Sequence, residues 1–270
     1  MPTRRQVFEA RVRRRSIAIA AASTLVVGLA LVLLVTNAPG WASVKKSFFN
    51  AEVFAKTLPG LLDAFLWDVA IFLWSAPLIF LLGLLIALAR DVRAPALYPL
   101  KLFGMIYTDI FRGVPVILVI YLVGFGIPGL GLPRPWNSPY IWGTVALVLT
   151  YAAYVAEVFR TGIEGVHQSQ RAAALSLGLS SADTMRYVIL PQAIRKVVPA
   201  NMNLFIALQK DVALLSFIGP VEIFRQAGVY KSLMANFTPY VVAALIFLAI
   251  TIPATRYADY LMARQRRERS

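Results

Sequence analysis

The sequence predicts an all-α polytopic membrane protein, and three observations carry the prediction. Over 270 residues the mean hydropathy is +0.69, with 59% of residues hydrophobic and only 15% charged, where a soluble globule has about a quarter charged. Several apolar runs approach the ~20 residues that a helix needs to cross a bilayer. The 27 Lys and Arg outnumber the 13 Asp and Glu, and much of that positive charge lies in segments flanking the apolar runs. The net charge of +14 is therefore read as a topology signal rather than as a footprint for nucleic acid.

The elements follow in order. Arg4, Arg5, Arg11, Arg13, Arg14 and Arg15 precede an apolar run over residues 16–36. The run is longer than a secretory signal core and no clean A-x-A pattern follows, so it reads as an uncleaved first span with its N-terminus in the cytoplasm. Residues 37–56, with Pro39, Gly40, Lys45 and Lys46, form a mixed segment expected outside. Residues 58–89 supply the second span, with Trp67 and Trp74 at headgroup depth, Asp68 at the interface, and Arg90, Asp91 and Arg93 closing it inside.

In residues 97–127 the first half is interrupted by Lys101, Asp109 and Arg112. An amphipathic approach is expected to become the third span, bent at Gly113–Pro115, because proline removes an amide donor and clashes with the preceding turn. A Pro/Gly-rich external loop covers 128–139. The fourth span is 140–159, the fifth 204–224, ended by Gly219–Pro220, and the sixth 240–262, before Arg264, Arg266, Arg267 and Arg269. Six spans place both termini, Arg90 with Arg93, and residues 160–196 on one face.

Between the fourth and fifth spans lies a polar stretch with helix signals. Ser169 is the expected cap of a helix over 170–177, with Gly178 as its left-handed stop. Ser180 caps a second helix, with Asp183 three residues on, and Pro191 ends or kinks it. The first helix has about two turns and is marginal alone in water. Its Ala172–Ala173–Ala174 run offers a thin surface that another protein can approach closely. By spacing alone, a docking knob and an ordinary interfacial loop are equally good readings.

Chemistry-bearing residues are few. There is no Cys, and His167 is the only His, which leaves no transition-metal set of the usual kind and places His167 at a wet surface. The chain contains neither H-E-x-x-H nor G-x-x-x-x-G-K-[ST], so no zinc protease or nucleotide-binding loop is encoded by those motifs. Glu157 and Arg160 can pair at i, i+3 near a helix end. Arg112 reads as a phosphate anchor, and Glu222 with Arg225 as a solvated external pair. Lys210 lies about eleven residues beyond Pro199, hence ~16 Å along a helix and near mid-bilayer. Asp211, its neighbour, points about 100° away, so the two do not neutralise each other well.

Gln170-x-Ala172-Ala173-Ala174-x-x-Leu177-Gly178, followed by Ile189-Leu190-Pro191-Gln192-Ala193, resembles the EAA loop of the membrane subunits of binding-protein-dependent ABC importers. The flanks resemble the polar amino-acid branch. Phe111-Arg112-Gly113-Val114-Pro115 is similar to its FRGxP stretch, and Ala153-Tyr154-Val155-Ala156-Glu157-Val158-Phe159-Arg160 to its AYxAExxR stretch. Asn203-x-x-Ile206-x-Leu208-x-Lys210-Asp211, with Leu214-x-Ser216-x-Ile218, is similar to the stretch after its loop. Four pieces in order, over roughly residues 47–262, make the resemblance specific.

The resemblance implies a five-helix type I importer core preceded by one N-terminal helix. Residues 1–57 would hold the basic N-terminus, that helix and an external segment. Residues 58–264 would form the transport domain, with a coupling loop at about 160–200, and 265–270 a basic tail. It also implies a permease subunit of an ATP-driven amino-acid importer in a prokaryotic plasma membrane. Its partners would be a cytoplasmic ATP-binding subunit carrying ATP and Mg, an extracytoplasmic solute-binding protein, a second permease chain and membrane lipid.

The coupling residues would be Ser169, Gln170, Ala172, Ala173, Ala174, Leu177 and Gly178. Lys210, Asp211, Glu157 and Arg112 are candidates for the translocation path, Lys210 by meeting a substrate carboxylate. Bonds between helices are the competing reading for the charged residues. The sequence departs from the pattern in three places. Ser169 replaces the usual Gly, and Val212 with Ala213 replaces a hydroxyl pair. Ala172 replaces the usual Glu, with the expected loss of a bond to the helix cap. The rival function is a stand-alone secondary carrier, which the absence of a visible internal repeat disfavours.

Overall fold

The structure is a computed structural model that describes residues 4–92 and 94–267, with side chains described between 13 and 264, except residue 93. The expectations for Arg4, Arg5, Arg11, Arg93, Arg266, Arg267 and Arg269 lie outside the described side chains. Contacts divide the chain after Ala51 into two units.

The first unit holds α1 (Arg4–Thr36) and α2 (Trp41–Phe48). Residues 13–36 of α1 form a candidate span of 24 residues, about 36 Å at the helical rise, which matches a hydrocarbon core of ~30 Å. Its hydroxyls return to the helix: Ser23 and Thr24 donate to the Ala20 carbonyl at 2.9 and 2.8 Å, and Thr36 to that of Val32 at 2.8 Å. No water is needed to satisfy them, as a lipid-facing helix requires. The helix α2 was not foreseen in the mixed segment that follows.

The second unit begins with α3 (Ala51–Asp91). Its buried positions include Leu61, Phe65, Asp68, Ile71, Ser75, Ile79, Gly83 and Ile86. They recur every three or four residues and form one inward stripe. Asp68 lies on that stripe and is fully buried, so the interfacial placement expected from the sequence is corrected.

After a 3₁₀ turn at Pro95–Leu97 come α4 (Tyr98–Gly113) and α5 (Val116–Gly126). The expected break falls where proline demands it. Val114 is extended, with φ −98° and ψ 131°, because Pro115 excludes the helical region for the residue before it. The change of direction is 106°, far sharper than a kink within one span.

The helix α6 (Pro139–Glu164) is the central post: 56% of its most apolar stretch is buried, against 28% for the corresponding stretches of α3 and the last helix. Small residues let neighbours close on it. A Cβ at Gly83 would sit 2.6 Å from Val155 and 3.0 Å from the Ala152 carbonyl, and one at Gly162 would collide with Val197.

Then follow α7 (Gln168–Ser176), α8 (Ser181–Asp183), a π-helical stretch at Thr184–Ile189 and α9 (Leu190–Asp211). The fifth span differs from expectation. The α-helix begins at Leu190 and stops at Asp211, giving way to a 3₁₀ stretch at Val212–Ile218 and to Gly219 at φ +124°. The helix α10 (Ile223–Met234), bent 53° from the helical segment Ser181–Ile218, replaces the loop expected there, and α11 (Thr238–Arg267) ends the described chain. Among the described residues four helices are long and apolar enough to cross a membrane, or up to six spans if each bent pair counts as one. Among the described residues there is no strand.

Candidate functional site

The site is built where the C-terminal ends of α3, α4 and α6 meet the short helix α7. The start of α7 differs from expectation. Its cap is His167, not Ser169: the His167 Nδ1 accepts the Ser169 amide at 3.2 Å and lies 2.7 Å from the Ser169 hydroxyl. The imidazole thus satisfies one of the amides that every helix start leaves unpaired.

Moving the start changes the meaning of Ala172. The third helical position is Gln170, so Ala172 lies in the second turn, where a Glu has no cap amide to reach. The expected weakening of the cap is therefore withdrawn. Gly178 behaves as expected, at φ +84°, and the Leu179 amide reaches back to the Ala174 carbonyl at 3.2 Å, closing the helix end.

Ser180 also caps as expected, accepting the Asp183 amide at 3.1 Å and donating to the Asp183 carboxylate at 2.6 Å. Pro191 does not end the helical run: it is the second residue of α9, directly after the π-helical turns, which run without a break into it.

The two faces of α7 differ. Ala174 points inward and is 4% exposed, while Ala172, Ala173 and Ser176, on the far side of the helix, are exposed; Leu177, just past its end, is 83% exposed. Ala172 is exposed beside a cavity of about 420 Å³ that Asp91, Glu164, Arg171 and Leu175 also line. On the inward side, the Arg171 guanidinium donates to the Asp91 carboxylate at 3.2 Å, 80 residues away in sequence. The Lys196 ammonium donates to the Gly165 carbonyl at 2.6 Å and ties α9 to the end of α6.

Above α7, three guanidinium groups converge on Glu157. Arg90 donates to its Oε2 at 2.9 Å and also to the Thr108 hydroxyl at 2.9 Å. Arg112 lies 3.4 Å from the same oxygen. Arg160 donates to Oε1 through both Nε, at 3.0 Å, and Nη2, and to Glu164 at 2.5 Å. One carboxylate, 21% exposed, therefore joins α3, α4 and α6. The Glu157–Arg160 pair was foreseen. Arg112 was expected to anchor on phosphate, and its described partner is Glu157. Arg90, Asp91, Thr108, Arg171 and His167 were missed as members of the site.

Lys210 and Asp211 lie elsewhere, at the end of α9. Asp211 accepts the Tyr151 hydroxyl at 2.8 Å and so bonds α9 to α6. Lys210 is exposed, and among the described residues it makes no ion pair within 4.0 Å.

A second group of acids was also misplaced by sequence. Glu222, expected in a solvated pair, is fully buried and caps α10, accepting the amides of Phe224 and Arg225 at 2.8 and 2.7 Å. The Arg225 guanidinium turns instead to the Ser216 carbonyl at 3.1 Å. Asp68 faces this same region. The Ile223 amide points to it, and among the described residues neither oxygen finds a well-formed hydrogen-bond partner. A buried polar group left unmatched costs about 1–3 kcal/mol. Asp68→Val should therefore raise the melting temperature of the purified chain in detergent, a gain that a thermal unfolding scan reads directly; a fall of similar size would mean that Asp68 holds the packing together.

The chain is similar to known proteins over most of its length. The family model for the binding-protein-dependent transport system inner membrane component matches residues 79–267. The chain is 33% identical over 204 residues to a probable amino-acid permease protein, YxeN, of Bacillus subtilis, covering 74% of this chain and 89% of that one. It is 34% identical over 186 residues to a probable glutamine ABC transporter permease protein, GlnM, of the same organism, covering 68% and 83%. Among solved structures, an amino acid ABC transporter crystallised with histidines superposes with a TM-score of 0.70 at 32% identity, covering 78% of this chain and 96% of that one.

Proposed function

The chain belongs to the family of binding-protein-dependent transport system inner membrane components, and on that premise we propose how its parts divide the work of import. It is a multi-pass inner-membrane permease subunit of an amino-acid ABC importer, and it is not the ATPase. The energy comes from ATP and Mg on a separate subunit, and the substrate is delivered by a binding protein.

The observation that carries the finer reading is α7. It is a short helix, capped at both ends, set between two spans, with its Ala173 and Leu177 face turned outward. That face docks on the ATP-binding subunit, so α7 and both chain termini lie in the cytoplasm. Residues 58–264 are the transport core, and a second permease chain, the same or similar, completes the path in lipid. Of the four charged residues considered for that path, Lys210 is the one left open to meet a substrate carboxylate. Asp211, Glu157 and Arg112 are engaged between helices. Nucleotide in the partner biases two states of the pair, which gives alternating access.

The test is affinity purification from the native membrane, identification of the co-purifying chains by mass spectrometry, and reconstitution in liposomes. Uptake of an amino acid should require the ATPase, ATP and the binding protein together. Uptake by this chain alone, without ATP, would establish a secondary carrier instead.

A further inference from the structure

Two neighbouring residues at the end of α3 are held from opposite directions. Asp91 receives the Arg171 guanidinium from α7, and Arg90 reaches the carboxylate of Glu157 on α6. The helix α7 is joined covalently to α6 through residues 165–167, and to α9 through 177–189. It has no such link to α3, which lies 80 residues away along the chain at Asp91. The space between them is not filled by packing: the cavity of about 420 Å³ is bounded by both Asp91 and Arg171. Across it, the guanidinium–carboxylate bond is a direct polar strap from α7 to α3. Both ends are partly withdrawn from solvent, at 18% and 24% exposure, so salt screens the pair less than it would a surface pair.

We propose that Arg171–Asp91 and Arg90–Glu157 are two linked ion pairs that carry the displacement of α7 into the spans. A pull on α7 moves Asp91, and the last turn of α3 moves with it. Arg90, one residue before, then shifts the carboxylate at which α4 and α6 also meet. Arg171, Asp91 and Arg90 are thus positioning residues for transport and touch neither nucleotide nor substrate. The relay rests on the reading of α7 as the docking helix, and the experiment separates the two claims.

The complex of this chain with its co-purifying ATPase and binding protein is reconstituted in liposomes, and amino acid moved per ATP hydrolysed is measured. The chain has no cysteine, so a photo-crosslinker attached through Ser176→Cys, exposed one turn beyond Ala173, reports docking of α7 on the ATPase. Arg171→Ala and Asp91→Ala should each lower the transport-to-hydrolysis ratio by about fivefold, within the range of substitutions along a coupling route, and leave the crosslink intact. Arg171→Asp combined with Asp91→Arg should restore at least half of the ratio, which a merely lost packing contact would not allow. An unchanged ratio in both single variants, or no recovery in the reversed pair, overturns the relay. Absence of the crosslink in an otherwise unaltered chain overturns the docking reading instead.

Discussion

Glu157→Ala should abolish transport and lower the melting temperature of the purified chain by roughly 10 °C, at 2–4 °C per kcal/mol for a domain of this size. The reason is the number of charges that one carboxylate holds. Arg90, Arg112 and Arg160 all end on it, and its removal leaves three guanidiniums facing one another where α3, α4 and α6 converge. Breaking one partner of a buried pair costs about 3–5 kcal/mol, and the 21% exposure of Glu157 places the cost near the lower bound. Glu164 is the control. It also binds Arg160 but is 59% exposed, and exposed pairs contribute under about 1 kcal/mol. Thermal scans of Glu157→Ala and Glu164→Ala should differ severalfold in effect. Equal shifts would show that the convergence on Glu157 has no special weight.

Much of this region was legible in the sequence because its signals are local. The left-handed stop at Gly178, the Ser180–Asp183 cap and the break before Pro115 each depend on residues within four positions of one another. The pairing of Glu157 with Arg160 is of the same kind. The bonds from Arg90 to Glu157 and from Arg171 to Asp91 span 67 and 80 residues, and no periodicity within either helix announces them.

His167 was missed for another reason. An imidazole is an uncommon cap, and Ser169 nearby offered the usual one. Asp68 is the instructive error. Its spacing puts it on the Leu61–Phe65–Ile71–Ser75 stripe, and that face, not its nearness to the start of the apolar run, decides its burial. The helix α10 and the buried Glu222 at its start were hidden for a tertiary reason. Its 12 residues are mixed in polarity, and packing against α3 and α11 stabilises it.

Ala173→Glu should release the ATPase from the complex and stop uptake, with the same amount of chain remaining in the membrane. Ala173 is exposed on α7, while Ala174, the next residue, turns into the protein. A carboxylate at 173 would be buried, unpaired, by any partner that docks closely on this face. That penalty is about 3–5 kcal/mol, or roughly a hundredfold to several thousandfold in affinity. Ala172→Glu is the discriminating companion. It puts the same charge one residue away, about 100° around the helix, beside the cavity that Arg171 lines. That variant should keep the ATPase bound and support uptake. Co-purification and liposome uptake of the two variants decide the matter. If Ala173→Glu retains its ATPase and transports normally, the outward face of α7 is not the docking surface; if both variants lose it alike, charge anywhere on α7 is excluded and the face cannot be assigned to Ala173 and Leu177.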